Sequence, residues 1–497
     1  MSFGIAFAAA FALAVLSQGA GANDRSARIK IVHEVEANLG YQPGDGFITS
    51  LIAAWAALGT PGRAGTYLPR IEVPAARARA ICIVGKALAA KRHIANALRL
   101  AKQLKYTRSE GCIALAVTWV QALDGDEKAA LATLAGANSR IYAALLSDAN
   151  GRQYVARALA SGRHFTKALI IAARLPSHWS KSIAFVAIAK RQYDARLKVN
   201  ASRSLGLAAR HAALIQDGIR RRIALKSAAE ESIRHGALRA ARKMLVKLKQ
   251  SILVRPNHQI RGDQLFETAK LQVAAGDGNA AMATLERAFV ASMKTPRTKF
   301  PPVATEIVRW RAYRDGPPQA LRMALRIQER RLRELALAEV AGAVAYSSDT
   351  KKALTMFDGF KSDRTKDKAR ARIAEALARR GQYERALTIV TEIKTETCVY
   401  VFTCWSHRND PLWQIALIAV HAGDIRAAER AALAIPGSAS RARTWADIVG
   451  VWSLKGHPEE AAHMIRRRYS GRRRYIALLR LATYKTPATP RQLPSRR

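Results

Sequence analysis

The sequence predicts an all-α protein in which α–α hairpins stack into a superhelical solenoid of roughly ten repeats. Two observations predict this fold class. A small or polar turn residue followed by an alanine five positions later recurs along most of the chain, and between these turns the apolar residues recur at intervals of three and four. Such a recurrence indicates helical units that bury their apolar faces only by stacking on their neighbours. No segment shows the alternating pattern of a β-strand.

The turn residues define the length of each repeat. Successive turns are separated by 33, 37, 74, 40, 39, 33, 33, 42 and 33 residues, and the step of 74 leaves room for one degraded copy. Glycine suits these positions because it takes the left-handed conformation at a helix C-terminus without a Cβ clash. The predicted turns are Arg92, Gly125, Gly162, Gly236, Gly276, Asp315, Ser348, Gly381, Gly423 and Gly456.

Alanine marks both helices of each predicted hairpin. It lies five residues after the turn in the second helix, and it often lies seven residues before the turn in the first. Because small contact residues let two helices approach closely, the two sites are predicted to face each other. The second-helix alanines are Ala97, Ala130, Ala241, Ala281, Ala320, Ala353, Ala386, Ala428 and Ala461, and the first-helix alanines are Ala229, Ala269, Ala341, Ala374 and Ala416.

One copy carries a family pattern, A-x6-G-x-Y-x2-A, formed by Ala374, Gly381, Tyr383 and Ala386. Through these residues the chain resembles the tetratricopeptide repeat family, over roughly residues 76 to 468. It departs from the family at Arg370, where the family has tryptophan, and at Cys398, where the family has proline. The resemblance implies a concave groove that binds partner proteins and is lined by exposed residues of the first helices.

The N-terminus has the pattern of a secretory signal peptide. Phe3 to Leu16 is an apolar run followed by the small-x-small sequence Ala20-Gly21-Ala22, so cleavage leaves Asn23 first, although no Lys or Arg precedes the run. The alternatives are an uncleaved anchor and a buried first helix. The predicted domains are a signal peptide (1–22), an N-terminal cap region with one helix (23–75), the repeat array (76–485) and a basic disordered tail (486–497).

The four cysteines are an even number, which fits an oxidising compartment. Cys398 and Cys404 bracket an aromatic insert, TCVYVFTCWSH, whereas Cys82 and Cys112 fall in successive hairpins. Two local disulfides, Cys82–Cys112 and Cys398–Cys404, are therefore predicted. Four buried free thiols are the alternative, because helical packing needs no covalent link.

The chain has a large excess of positive charge. Lys and Arg total 82 against 37 Asp and Glu, which gives a formal net charge of +45. A field of this sign attracts anionic polymers, membranes or acidic proteins, and the alternative is a solvated surface without a partner. The candidate anion-binding residues are Arg466, Arg467, Arg468, Arg472, Arg473 and Arg474, and two further clusters are Arg220-Arg221-Arg222 and Arg330-Arg331.

The sequence carries few signs of catalysis. The phosphate-loop, H-E-x-x-H, G-x-S-x-G and C-x-x-C motifs are absent, so no catalytic residue, cofactor site or metal site is predicted. His407 follows Cys404 by three residues but lacks the second pair of ligands of a structural zinc site. Lytic transglycosylases also combine export with an α-superhelix, and Glu231-Ser232, inside a predicted repeat helix, resembles their catalytic pair only superficially.

These observations predict a periplasmic or secreted helical-repeat scaffold that is not an enzyme and needs no cofactor. Its basic superhelical surface is expected to bind a partner protein with acidic segments, an anionic envelope polymer or a membrane surface. One alternative is a peptidoglycan-acting enzyme that uses the superhelix to hold its substrate. The other, if the signal peptide is not real, is a cytosolic helical-repeat protein that binds nucleic acid.

Overall fold

The computed structural model describes residues 22–37, 45–104, 108–136, 148–254, 258–294, 303–347, 349–394, 396–400, 403–406 and 408–468. Within these ranges the chain forms 25 α-helices, one 3-10 turn and one β-hairpin. Residues 1–21 of the predicted signal peptide and the whole predicted tail, 486–497, lie outside the described residues.

The described residues divide into two compact units, one made of 22–254 with 267–282 and the other of 258–266 with 283–468. The helices that lie wholly in the first unit are α1 (Ala22–Ala37), α2 (Asp45–Ala57), α3 (Pro61–Gly65), α4 (Pro74–Ala90), α5 (Ile94–Gln103), α6 (Arg108–Leu123), α7 (Glu127–Gly136), α8 (Asp148–Ser161), α9 (Phe165–Ala173), α10 (His178–Asp194), α11 (Lys198–Ala213), α12 (Gly218–Arg234) and α13 (Leu238–Leu253), with a 3-10 turn at Leu68–Arg70.

Two helices, α14 (His258–Ala274) and α15 (Gly278–Met293), contribute residues to both units. The second unit contains α16 (Val303–Arg314), α17 (Pro317–Leu325), α18 (Arg330–Tyr346), α19 (Thr350–Thr355), α20 (Asp363–Arg379), α21 (Tyr383–Thr391), β1 (Glu396–Tyr400), β2 (Thr403–Ser406), α22 (Asn409–Ala422), α23 (Ile425–Leu433), α24 (Ser438–Leu454) and α25 (Pro458–Arg468).

From α2 onwards the helices form consecutive pairs, and we call the first member of each pair the A helix and the second the B helix. Within the first unit the A helix α10 packs on its own B helix α11 and on the neighbouring A helices α8 and α12. Within the second unit α18 packs in the same way on α19, α16 and α20. The predicted fold class is therefore confirmed: the chain is an all-α solenoid of α–α hairpins.

The left-handed turns confirm most of the predicted repeat boundaries. Seven of the ten predicted turn residues have φ between 62° and 97°: Arg92, Gly125, Gly236, Gly276, Gly381, Gly423 and Gly456. In six of these seven, glycine supplies this conformation at no steric cost. Ser348 lies outside the described residues.

Two predicted turns are displaced by one residue. The left-handed residue is Arg163 (φ 66°) instead of Gly162, and Gly316 (φ 100°) instead of Asp315. A Cβ on Gly162 would collide with the backbone carbonyl of Leu123. This glycine therefore serves a close backbone approach, and the residue after it turns the chain.

Two further turns were missed by the sequence prediction. Arg196 (φ 64°) lies 33 residues after Arg163 and 40 before Gly236, so it is the degraded copy within the step of 74. Gly59 (φ 78°) lies 33 residues before Arg92, and the alanine five residues after it, Ala64, is fully buried. The repeat therefore extends into the predicted cap region, where the structure has three α-helices instead of one.

The alanine sites lie at the helix contacts, as predicted. All nine second-helix alanines are at most 1% exposed, and the five first-helix alanines are 0% exposed. Larger residues complete the core around them, including Leu205 and Leu245 in the first unit and Leu377 in the second. Close approach of the paired helices through small residues thus follows directly from the repeat pattern.

In four linkers between a B helix and the next A helix, an arginine side chain donates to the backbone carbonyl of a buried isoleucine six residues earlier. This arrangement, the linker clamp, holds a carbonyl that follows the B helix, two residues after its end in three linkers and after the 3-10 turn at Ile71. The pairs are Arg77 with Ile71 (2.8 Å), Arg221 with Ile215 (2.7 Å), Arg333 with Ile327 (3.3 Å) and Arg441 with Ile435 (3.0 Å).

The β-hairpin is an insertion into a further linker, between α21 and α22, and the prediction that the chain has no strand is wrong here. Strands β1 and β2 pair antiparallel, with Cys398 opposite Cys404. Arg408 donates to the carbonyl of Ile393, fifteen residues earlier instead of six. The step from Gly381 to Gly423 exceeds 33 by the same nine residues, so the hairpin interrupts a standard repeat without changing its frame.

Candidate functional site

The predicted C-terminal arginine cluster is only partly described. Arg466, Arg467 and Arg468 occupy the last turn of α25, where cations favour a helix C-terminus. The Arg468 guanidinium lies 4.7 Å from the centre of the Trp445 ring, a cation–π contact. Arg472, Arg473 and Arg474 lie outside the described residues, so their predicted anion binding stays a prediction.

Both internal arginine clusters contribute side chains to contacts within the fold. In the first, Arg221 forms a linker clamp, and Arg222 is buried with its guanidinium 3.5 Å from the Ser251 carbonyl. In the second, Arg330 pairs with Glu334 at 3.1 Å. Runs of consecutive arginines therefore do not by themselves identify an anion-binding surface.

Other cations hold the turns of neighbouring repeats together. Arg242 donates to the carbonyls of Ala275 and Gly276 at 2.8 and 3.1 Å, and Lys455 donates to the carbonyl of His421 at 2.6 Å. Each acceptor lies at the C-terminal end of an A helix, where orphan carbonyls and the helix dipole favour a positive charge. A part of the charge excess is therefore structural.

The B helices α11 and α13 carry cations of a different kind. They approach each other within the first unit, and neither contains an Asp or a Glu. Most of their cations point to solvent, opposite the buried residues Leu205 and Leu245. We call the exposed surface of these helices the basic face, and it carries Lys198, Arg203, Arg210, Arg239, Lys243 and Lys247.

The two helices match residue by residue. Their turns, Arg196 and Gly236, are 40 residues apart, so each α11 residue corresponds to the α13 residue 40 positions later. Arg203 then corresponds to Lys243, and both are exposed. The repeat thus places cations at equivalent positions of two helices that approach each other, where their fields add.

Exposed aliphatic residues lie among these cations. Val199 on α11 is 68% exposed and Val246 on α13 is 43% exposed. At the C-terminal ends of the two helices, Leu214 is 57% and Val254 is 82% exposed. The basic face therefore offers both charge and apolar surface, a combination that a purely solvated face does not need.

A histidine pair lies at one end of the basic face. The Nδ1 atoms of His178 and His211 are 3.0 Å apart, and the His211 ring stacks on Phe185. Burial lowers the pKa of His211, and the nearby charges of His178, Lys181 and Arg210 lower it further. Neutral His211 is therefore favoured, and acidification adds charge to a region that is already positive.

The second unit contains a buried ionic network between three successive A helices, α16, α18 and α20. Arg372 donates to Glu339 at 2.8 Å and to Glu375 at 3.0 Å, and Arg309 lies 3.7 Å from Glu339. Burial alone lowers the pKa of Arg372, but the attraction of the two carboxylates outweighs it and raises this pKa. The charges compensate each other inside the core, so the network fixes helix packing.

The structure gives Glu231 and Ser232 internal partners. Both are buried in α12, at 4% and 0% exposed. Glu231 accepts hydrogen bonds from Arg234 and, at 2.8 Å, from His235, while Ser232 donates to the carbonyl of Ala228 at 2.8 Å. These contacts assign the pair to the packing of a repeat helix.

The cysteines lie where the repeat places them. Cys82 on α4 and Cys112 on α6 are joined by a disulfide, with Cα atoms 6.1 Å apart, which links two successive A helices. The register of the β-hairpin places Cys398 opposite Cys404, and their disulfide stays a prediction. Among the described residues no group of three or more His, Cys, Asp or Glu is arranged to hold a metal ion.

Sequence reasoning missed the basic face because it searched for consecutive arginines. The available signal was the charge of each helix: α11 carries three Lys and Arg residues and α13 carries five, with no acidic residue on either.

None of the described helices has the length and apolar character needed to cross a membrane.

Comparison with known proteins yields structural similarity only. No family model matches the sequence, and no curated protein matches it. The crystal structure of Ton1535 from Thermococcus onnurineus NA1 aligns with 67% of this chain and 98% of its own, at 18% identity and a TM-score of 0.28. A circular tandem repeat protein with a novel repeat topology aligns with 92% of each chain, at 14% identity and a TM-score of 0.19. These TM-scores are low, and the architecture rests on the helices of this chain.

Proposed function

We propose that this protein is a helical-repeat scaffold without chemistry of its own, which binds an anionic macromolecular partner through the basic face of α11 and α13. One observation carries the proposal: these adjacent helices expose six Lys and Arg residues and contain no carboxylate. Elsewhere in the fold many Lys and Arg side chains donate hydrogen bonds to backbone carbonyls, whereas those of the basic face are exposed to solvent. A surface of one sign speeds the encounter with a partner of the opposite sign.

The proposal includes export and a tetratricopeptide-like character for the repeats. Export is supported by the apolar run Phe3–Leu16 and the Ala20-Gly21-Ala22 cleavage pattern, and it fits the disulfide between Cys82 and Cys112. The tetratricopeptide-like character is supported by the A-x6-G-x-Y-x2-A pattern around Gly381. The partner is then an acidic segment of an envelope protein or an anionic envelope polymer.

The test measures binding of fluorescent poly-glutamate to the full chain by anisotropy. Four neutralising substitutions on the basic face remove four exposed pairs of about 0.5 kcal/mol each, so affinity is expected to fall about 30-fold. The substitutions are Arg203→Gln, Arg210→Gln, Lys243→Gln and Lys247→Gln.

A matched control removes the same charge from exposed residues of other helices in the first unit. Since its net charge equals that of the test variant, it separates the basic face from the total charge of +45. The control substitutions are Arg79→Gln, Arg99→Gln, Lys102→Gln and Lys128→Gln. Equal loss of affinity in the two variants would show that net charge alone binds the polymer, and the proposal would fail.

A further inference from the structure

We propose that the partner of the basic face is an acidic protein segment in which an aliphatic side chain lies between carboxylates, and that this side chain docks at Gly206 beside Val246. This inference rests on the proposed function and specifies the class of its partner. It begins from a recess in an otherwise regular helix surface.

Gly206 creates the recess. It lies in the interior of α11, is exposed, and has no atom within 4 Å of the position that a Cβ would occupy. Nothing in the packing of α11 requires a glycine at this site, although glycine weakens a helix interior relative to alanine. The missing side chain leaves bare helix backbone on the basic face, and we call this gap between the neighbouring side chains the recess.

Cations flank the recess. Arg203 and Arg210 lie three residues before and four residues after Gly206, on the same side of α11. Lys243 corresponds to Arg203 on the adjacent helix. Seven residues of helix span about 10 Å, and two carboxylates four residues apart on one face of an extended segment span about 13 Å, a difference that the long Arg203 and Arg210 side chains close.

An exposed apolar side chain occupies the equivalent position on the adjacent helix. Val246 is the α13 residue that corresponds to Gly206, and it remains 43% exposed. An aliphatic side chain placed over Gly206 contacts Val246 while its acidic neighbours reach the flanking cations. This arrangement has the apolar centre and polar rim of a protein interface.

The chemistry of the face favours protein over the other anionic partners. Neither α11 nor α13 contains Phe, Tyr or Trp, the side chains on which nucleic acid bases stack and which anchor a protein at a membrane surface. The aliphatic residues also alternate with the cations instead of forming a separate apolar face. A segment that alternates acidic and aliphatic residues along one of its faces complements this pattern.

The experiment compares four probes on the full chain by fluorescence anisotropy and vesicle sedimentation. They are a Glu-Leu peptide with the repeat Glu-Ser-Leu-Ser, which places Glu and Leu in turn on one face of an extended segment, poly-glutamate of equal charge, a single-stranded oligonucleotide of equal charge, and phosphatidylglycerol vesicles. The Glu-Leu peptide is expected to bind about tenfold more tightly than poly-glutamate, because one aliphatic side chain is buried. Equal affinity for the two polypeptides overturns the inference but leaves the proposed function intact.

Variants locate the apolar contact. Gly206→Gln fills the recess with a flexible polar side chain, and Val246→Ser removes the apolar neighbour, while both keep the charge. Each is expected to abolish the tenfold preference for the Glu-Leu peptide and to leave poly-glutamate binding unchanged. Val73→Ser is the matched control, because Val73 is 53% exposed and belongs to neither α11 nor α13.

Three outcomes contradict the inference in distinguishable ways. Tighter binding of the oligonucleotide or the vesicles than of the Glu-Leu peptide identifies a different class of partner. A preference that survives in Gly206→Gln and Val246→Ser places the apolar contact elsewhere. Failure of all four probes to bind overturns the proposed function together with the inference. Circular dichroism of each variant verifies that the helices are intact.

Discussion

Replacing Gly342 by alanine tests the packing of the A helices most sharply. An alanine in a helix interior is normally more stable than glycine by about 0.5–1 kcal/mol, because glycine loses more backbone entropy on folding. At Gly342, in α18, the new Cβ would lie 2.9 Å from the Cβ of Arg372, 3.0 Å from the Tyr313 hydroxyl and 3.2 Å from the Arg372 carbonyl. Two carbon atoms prefer a separation of about 3.5–4.0 Å, so α20 must shift.

The shift acts on the buried ionic network. Arg372 is held by Glu339 at 2.8 Å and Glu375 at 3.0 Å, and a displaced guanidinium weakens both bonds inside the core. Overpacking of this kind costs about 1–3 kcal/mol. After the gain in helix propensity is subtracted, Gly342→Ala is expected to destabilise the second unit by about 1–2 kcal/mol.

Gly206→Ala is the matched control, because Gly206 also lies in a helix interior but has open space around its Cβ position. It is expected to stabilise the first unit by about 0.5–1 kcal/mol. Hydrogen exchange of the α18, α20 and α11 amides measures the two effects separately, which a single melting curve of a repeat protein does not. Similar stabilisation by both substitutions would refute the packing argument.

Three other predictions follow from local features. Arg196→Gly relieves a left-handed non-glycine residue and is expected to stabilise the fold by about 1 kcal/mol. Arg92→Gly is expected to stabilise it less, because it also removes the ion pair with Asp124 at 2.7 Å. Thermal unfolding of the two variants measures the difference. The pKa of His211 is lowered in the folded state, so the wild type is expected to lose stability as the pH falls below about 6.5, where the unfolded chain binds the proton first. His211→Gln is expected to remove this loss of stability. Urea titrations at several pH values measure the free energy of unfolding of both proteins. Deleting 397–405 removes the nine inserted residues and is expected to preserve the helical circular dichroism spectrum, while collapse of the spectrum would show that the hairpin supports the fold.

The sequence predicted the hairpin repeat because its signals are local. A glycine in the left-handed conformation and an alanine at a close helix contact each have a direct steric cause, so Gly381 and Ala386 mark a turn and a contact without tertiary information. The same reasoning failed where a glycine is required for a different reason, or where another residue takes the left-handed conformation. Gly162 serves a close approach to Leu123, and Arg196 turns the chain without being glycine.

The inserted hairpin was missed although the sequence contained its signal. The run TCVYVFTCWS is rich in β-branched and aromatic residues, and the step from Gly381 to Gly423 exceeds the 33-residue repeat by nine. Searching for alternation alone overlooked a short segment of this kind. The nine extra residues in this repeat were the signal that an insertion is present.

The basic face was not predictable from consecutive charges. Arg221 and Arg222 occupy adjacent positions, but helical geometry sends one to a linker carbonyl and buries the other. Arg203 and Lys243 are far apart in sequence and belong to one surface only because α11 and α13 approach each other. Partner choice depends on such tertiary juxtapositions, which a single sequence does not display.

The most direct test of the central claim is a hydrogen-exchange footprint of the full chain with and without saturating poly-glutamate. The account predicts that protection concentrates in 198–213 and 238–253, the two helices of the basic face, and that it weakens between about 0.01 M and 0.1 M salt, where the screening length falls from about 30 Å to about 10 Å. Protection centred on the C-terminal arginines 466–474 instead, or spread evenly over the chain, would contradict it.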